Sequence, residues 1–382
     1  MAGVIVHEWV EPVGGSERVL QSLLQLYPDA DLVCAWDNTG GSVAGTGRSA
    51  CDRRIRETWV ARTPARRLKQ VALPLLAVAW RQIPMIDYEW ALVSSHAFAH
   101  HIRTGPVGTR PGSLAARSGI DKYVYVHSPA RYLWEPGLDH RGSGALMRAA
   151  GVPFRRLDRR RAAEATGIAA NSRYVRDRIR RVWDRDATVI HPPVAVAEIQ
   201  AGGWRSRLTV DDEALLESLP AEFVLGASRM ISYKRLDLVI RAGERAGCPV
   251  VLAGQGPESQ RLRSMAEQAS VPVIFVDAPS TELLWELYGR ALVYVFPAVE
   301  DFGLMPVEAM AAGVPVLCSA AGGTTESVVD AVTGIHVAHW DSDDLGQQVH
   351  RAAALDPADV RKRAREFDHA LFEHRIREWI GR

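Results

Sequence analysis

Several absences narrow this sequence before any motif is considered. Its four cysteines, Cys34, Cys51, Cys248 and Cys318, are isolated, without a C-x-x-C pair or metal-ligand spacing. That excludes a disulfide scaffold and a zinc ribbon, and no metal ligand set is expected; the implied chain is reduced and cytoplasmic. Net charge is nearly absent, since 46 Lys and Arg face 45 Asp and Glu. Overall basicity therefore gives no argument for nucleic acid, and the arginine runs lack the interleaved aromatics of a base-stacking surface. Long apolar runs are missing too. The longest, Val71 to Trp80, is about half of what a spanning helix requires. With no charged leader and cleavage site before the strand-like GVIVH, neither a transmembrane segment nor secretion is expected. The G-x-G-x-x-G dinucleotide fingerprint does not occur.

The composition that remains, 47% apolar and 24% charged, is that of a globular enzyme. A chain of 382 residues exceeds what one core of ~250 to 300 residues holds, so two domains are expected. Short apolar runs alternate with amphipathic helical patterns throughout. In the first half strands are read at Gly3–His7, Leu32–Trp36, Ala91–Ser94, Tyr123–His127 and Gly167–Ala170, and Asn171 or Ser172 caps the helix after the last. The second half repeats the pattern at Phe223–Ala227, Val250–Ala253, Val273–Val276, Leu292–Phe296 and Val314–Cys318. Such alternation predicts an α/β protein with two doubly wound parallel sheets and ligand-binding loops at one edge of each. The junction is HPPVAVAEIQAGGW, where Pro192, Pro193, Gly202 and Gly203 punctuate the chain.

The stretch from Ala291 to Leu317 carries the most chemistry. ALVYVF reads as a buried strand, followed by a loop and a short helix with Pro306 in its first turn. Phe302, Gly303 and Leu304 then present backbone N–H groups at a positive helix end, a cradle for phosphate. Glu300 precedes the cradle and Glu308 lies about one turn inside the helix. Carboxylates accept hydrogen bonds from hydroxyls and do not bind phosphate. A ligand with a diphosphate at its centre and hydroxyls at both ends fits all three features, which describes a nucleotide sugar. Arg229 and Lys234, after the first strand of the second half, add a guanidinium fork and an ammonium suited to the same diphosphate. Gly14-Gly15 precedes a helix in the first half and allows close approach of a ligand; unaided, it also fits a plain helix start.

At this point a family resemblance appears. Glu300 to Glu308 resembles the E-x7-E signature of glycosyltransferase family 4, retaining enzymes of the GT-B fold, in which two Rossmann-like domains face a central cleft. The motifs occur in that family's order: Gly14-Gly15, His127, Arg229 with Lys234, Glu300 to Glu308, and Gly322-Gly323 before a helix capped by Thr324 or Thr325. The resemblance implies that Glu300 faces the donor sugar, Glu308 the ribose and Gly14-Gly15 the donor phosphate and sugar. HSPARYLWE resembles the H-T-P-x-R-Y-x-W-D stretch of a subgroup, many of whose members use nucleotide-activated mannose; it places His127 at the donor sugar and keeps Arg131, with Ser128 and Glu135 as departures. Arg235 stands where the family commonly has glycine. The loop Asp277 to Ser280 resembles the place where the base is read by backbone atoms.

The implied domains are residues 1–195, acceptor-binding, and 196–365, nucleotide-sugar-binding, with 366–382 returning to the first. The implied reaction is metal-independent, cofactor-free transfer of a hexose from GDP-mannose or a UDP-hexose to a glycan or lipid-linked hydroxyl. A glycoside hydrolase is disfavoured, because residues eight apart on a helix lie ~12 Å apart and such carboxylates face each other at ~5 to 9.5 Å. A catalytically silent sugar-nucleotide or membrane-binding partner subunit is the alternative. Two basic segments, Arg48 to Arg81 and Arg141 to Arg185, read first as solvated helix faces. The second reading is contact with the anionic inner face of a membrane, with apolar insertion from Val71 to Trp80.

Overall fold

The computed structural model describes residues 2–42, 53–105, 120–135 and 145–381; Arg48, Cys51 and Arg141 lie outside the described residues. The chain forms two compact units, Met1–Pro193 with Phe372–Arg382, and Val194–Leu371.

In chain order the first unit contains β1 (Gly3–His7), α1 (Gly15–Leu26), β2 (Asp31–Cys34), β3 (Ile55–Glu57), α2 (Lys69–Ala79), β4 (Trp90–Ser95), β5 (Asp121–Val126), α3 (Arg131–Trp134), α4 (Ala145–Ala162), β6 (Gly167–Ala170), α5 (Arg173–Trp183) and β7 (Thr188–Val189). Its seven strands are parallel in the order β3-β2-β1-β4-β5-β6-β7. Alternate residues feed opposite faces, as the two-residue strand period requires. Val4 and Val6 join the core beneath α2 and α5, whereas Ile5 joins the core beneath α1. Ser172 is the residue that caps α5, accepting from the Val175 N–H.

The second unit contains α6 (Val196–Ala201), α7 (Val210–Ser218), β8 (Val224–Ala227), α8 (Asp237–Ala246), β9 (Val250–Ala253), α9 (Ser259–Ala266), β10 (Val273–Val276), α10 (Thr281–Arg290), β11 (Val293–Phe296), α11 (Leu304–Ala312), β12 (Val316–Ser319), α12 (Thr324–Ser327), β13 (Gly334–Val337), α13 (Leu345–Ala353) and α14 (Pro357–Ala364). Its six parallel strands run β10-β9-β8-β11-β12-β13. A final helix, α15 (His369–Ile380), lays Phe372, Ile376 and Ile380 into the core of the first unit. Both sheets therefore have the doubly wound parallel order, and each reverses direction once, between β1 and β4 and between β8 and β11. At such reversals successive loops diverge and leave room for a ligand beyond the strand ends.

Buried polar groups hold the first unit at its own reversal. Glu8, fully buried just after β1, accepts the backbone N–H groups of Ala97, Phe98 and Ala99 at 3.0, 2.7 and 2.9 Å, which ties the turn after β4 to β1. Deeper in, one oxygen of Asp158 meets His100 and His101 at 3.0 and 2.9 Å, and the other accepts the indole N–H groups of Trp134 and Trp183. Three donated hydrogen bonds, with the His100 ring beside them, explain why this carboxylate tolerates complete burial.

These histidines make the fold acid-sensitive. Burial holds His7 down at about 3 and His101 at about 4. In the unfolded chain both titrate near ~6.5. Between those values the unfolded chain takes up protons that the folded one refuses, so stability drops as pH is lowered, by up to about 1.4 kcal/mol per unit for each group. The depressed Asp158 adds its own loss only below the ordinary carboxylate range. Urea unfolding at pH 6.5 and 5 is expected to show a loss of about 2 to 4 kcal/mol, reduced in His101→Gln. Equal stability at the two pH values would contradict the neutral, buried assignment.

Candidate functional site

In the second unit the loops after β8 and β11 emerge on either side of the strand reversal, and the polar residues singled out from the sequence gather there. Lys234, almost fully buried, is ion-paired with Glu300 and lies over the Phe296 ring at 5.3 Å. One of its three protons is used on Glu300; a lysine has two more to offer an incoming anion. Arg229 is exposed in the same loop. Gly303 begins α11 with φ 88° and no capping side chain, so Leu304 opens a helix whose positive end has no side-chain acceptor at its cap. Phe302 turns inward against Phe367, so its side chain is part of the core. Glu308 is buried within α11. The Tyr294 hydroxyl donates to the Ala227 carbonyl at the end of β8; burial first, then the Glu308 and Glu300 carboxylates, push its pKa well up.

Glycines hold these loops in place by letting backbones touch. A Cβ on Gly323 would lie 1.9 Å from the Asp301 carbonyl oxygen, and one on Gly322 2.8 Å from that of Glu300. The Gly323 N–H donates to Glu300 O at 2.7 Å. Neither expected threonine caps the following helix: α12 starts at Thr324 behind Gly323, the Thr324 hydroxyl donates to Phe302 O, and that of Thr325 to Gly322 O. The loop after β8 is backed similarly: a Cβ on Gly254 would stand 2.0 Å from Ser228 O, and one on Gly256 2.4 Å from Met230 O. Arg235 has φ 53°, the left-handed region that glycine enters freely, and its guanidinium pairs with Asp237 at 3.0 Å.

In the first unit His127 follows β5, half-buried, and its Nε2 lies 2.8 Å from the Ser94 hydroxyl, which in turn lies 3.0 Å from His7 Nδ1. Ser94 and His7 lie at the ends of β4 and β1, so the trio stands at the reversal of this sheet. Sequence reasoning passes over both partners; the available signal is a polar residue closing an apolar strand. Ser128 and Glu135 have structural work: the buried Arg178 donates to the Ser128 hydroxyl and pairs with Glu135 at 2.9 Å. Gly14 and Gly15 stand at the start of α1, where Glu17 folds back so closely that a Gly14 Cβ would meet its carboxylate at 2.0 Å. That helix end thus carries an acid of its own, bonded by Ser16 and pushed up in pKa by burial.

Comparison with known proteins bears on the family and the fold. Residues 210–367 match the family described as glycosyl transferases group 1. An uncharacterized glycosyltransferase of Methanocaldococcus jannaschii is 34% identical over 137 residues, covering 34% of this chain and 35% of that protein. A GDP-mannose-dependent alpha-(1-6)-phosphatidylinositol monomannoside mannosyltransferase of Mycolicibacterium smegmatis is 30% identical over 270 residues, 65% of this chain and 66% of that protein. The matched stretches thus span about a third to two thirds of these relatives. Among solved structures, Anabaena HepE in complex with UDP superposes with a TM-score of 0.72 at 17% identity, over 100% of both chains. The fold is that of the GT-B glycosyltransferases, as the motif order implied.

Two substitutions test the loop geometry, with opposite signs. Gly323→Ala is expected to lower the unfolding free energy by about 2 kcal/mol, since a methyl group and a carbonyl oxygen cannot share the space. Arg235→Gly is expected to raise it by up to about 1 kcal/mol by relieving the left-handed residue. Thermal unfolding reads both, and an unchanged midpoint in Gly323→Ala would show that the two loops separate freely.

Proposed function

We propose that this protein is a retaining, metal-independent glycosyltransferase that moves a hexose from a nucleoside diphosphate sugar to a hydroxyl of a glycan or lipid-linked acceptor. The observation that carries the reading is the Lys234–Glu300 pair beside the uncapped start of α11, at the strand reversal, inside the stretch that matches glycosyl transferases group 1. Leaving-group charge would develop on the diphosphate, where Lys234 and the helix end are already held and Arg229 stands exposed in the same loop, and such preorganised donors supply most of the rate. Glu308 takes the ribose hydroxyls and Glu300 the sugar, while His127 keeps the donor-sugar role that the HSPARYLWE resemblance gives it. The diphosphate oxygen accepts the proton of the incoming hydroxyl on the face it leaves, so an α-linked donor yields an α-linked product.

GDP-mannose is our preferred donor, supported by the HSPARYLWE resemblance and by the mycobacterial relative named as GDP-mannose-dependent. The alternative is a UDP-hexose, since HepE has also been solved with UDP-glucose. Radiolabelled transfer from each donor, followed by proton NMR of the first product, tests donor and stereochemistry together; a β-linked product would overturn the retaining mechanism. Lys234→Ala is expected to lower kcat by ~10² or more. In calorimetry Glu308→Gln should weaken the bare nucleoside diphosphate, whereas Glu300→Gln should spare that binding and impair only use of the intact donor. Equal losses would contradict the two assignments.

Membrane contact belongs to the same proposal, on a narrower surface than the sequence suggests. Ala72, Leu73, Leu76, Ala77, Ala79 and Trp80 are core, and Arg53, Arg56, Arg155 and Arg159 donate to backbone carbonyls. Left outward are Leu68, Val71 and Val78, exposed by 64, 54 and 55%, beside exposed Arg62 and Arg67 and the exposed Arg66, which also reaches Ala61 O at 3.4 Å. Among the described residues no helix is long and apolar enough to cross a membrane. Binding to anionic vesicles should fall with salt and in Arg66→Glu/Arg67→Glu; equal binding to neutral vesicles would sink it.

A further inference from the structure

His127 does not stand alone at its strand end, and the groups behind it constrain which of its nitrogens carries the proton. His7 and Ser94 are both fully buried. His7 Nδ1 has the Ser94 hydroxyl at 3.0 Å, while His7 Nε2 is buried without a hydrogen-bond partner. A buried orphan N–H is rarer and costlier than an under-used acceptor, so the neutral ring places its proton on Nδ1 and donates it to Ser94 Oγ. A hydroxyl has one proton to give. With its oxygen accepting from His7, Ser94 gives that proton to its other neighbour, His127 Nε2, at 2.8 Å.

We infer that His7 and Ser94 are positioning residues that lock His127 as the neutral Nδ1–H tautomer, making it a hydrogen-bond donor toward the ligand and withholding it from general-base work. The inference deepens the proposed transferase function, in which His127 serves the donor sugar. Protonating His127 would put a second N–H against Ser94 Oγ and force the hydroxyl proton to turn away. The other ring nitrogen beside that hydroxyl is His7 Nδ1, which accepts only if His7 shifts its own proton to the buried, partnerless Nε2. The relay therefore resists a positive charge at His127. Three titratable groups near the ring act in the same sense or not at all. His7 is held neutral by burial; His96 lies 6.2 Å away, ring to ring, from the segment after β4; Tyr125 of β5 lies at 5.3 Å, buried and protonated. None of these is a carboxylate that would stabilise an imidazolium.

The test is nitrogen NMR of the ¹⁵N-histidine-labelled full-length protein, with His127 assigned by its loss in His127→Gln. The expected spectrum shows His127 protonated at Nδ1 and bare at Nε2, unchanged from pH 8 to below the ordinary histidine value of ~6.5. In Ser94→Ala the ring should change tautomer and titrate near that ordinary value, and Ser94→Thr, which keeps the hydroxyl, should restore the lock. An Nε2–H tautomer in the unsubstituted protein, or ordinary titration of His127 there, overturns the inference without recourse to any variant. The readout needs no turnover, so the two readings fail separately. A locked His127 in a protein that transfers no sugar would sink the function alone, and an active transferase with an Nε2–H His127 would sink the lock alone. In an active enzyme the acid limb of kcat/KM should move in Ser94→Ala and return in Ser94→Thr.

Discussion

The contact between Gly323 and the Asp301 carbonyl is the constraint on which the candidate site rests. Two loops from neighbouring strands, β11 and β12, approach so closely that their backbones touch, and a hydrogen bond from Gly323 to Glu300 O fixes the register of the contact. Glu300 is thereby held against Lys234, and Gly303 is held in the left-handed conformation that starts α11 abruptly. The loop carrying Lys234 is fixed by the same device, a glycine backbone laid against Ser228 and Met230. A buried lysine can be kept beside a carboxylate only if neither loop can relax outward, because a separated buried charge is costly. The glycines supply that rigidity through the absence of side chains.

Much of this is legible in the sequence, and the reasons differ by feature. Parallel strands buried on both faces read as continuous apolar runs, so Gly3–His7, Gly167–Ala170, Val250–Ala253 and Val273–Val276 carry the same bounds in sequence and structure. β3, β7 and β13 escape the sequence reading because IRE, TV and GIHV are too short or too mixed to show a pattern, and they pair as strands because a neighbour offers them a ladder. The strand expected from Val314 begins at Val316, since Gly313 and Val314 are still closing α11, the Val314 N–H reaching back to Ala309 O.

Side-chain roles are harder to read than strands. Lys234 and Glu300 each look in sequence like groups waiting for a ligand, and their direct pairing, across 66 positions of sequence, has no local signal. The same holds for Ser94 and His127, 33 positions apart. Gly322-Gly323 reads as a ligand-facing helix end, yet its immediate reason is loop packing. Ser128 and Glu135 read as departures bearing on sugar identity, and both serve the buried Arg178. A motif read as a string mixes residues that meet a ligand with residues that hold the motif together, and only burial and partners separate the two.

The return of α15 has a consequence for how the protein is made. Residues Phe372, Ile376 and Ile380 complete the core beneath α1, the same core that Ile5, Leu20 and Leu23 enter. On the ribosome the first unit therefore emerges with the core beneath α1 incomplete, and the part that α15 covers stays exposed while the whole of Val194–Leu371 is synthesised. The second unit waits for no later segment and can fold as soon as it clears the exit tunnel. Vectorial synthesis thus inverts the order of the chain: the unit translated first is the one finished last.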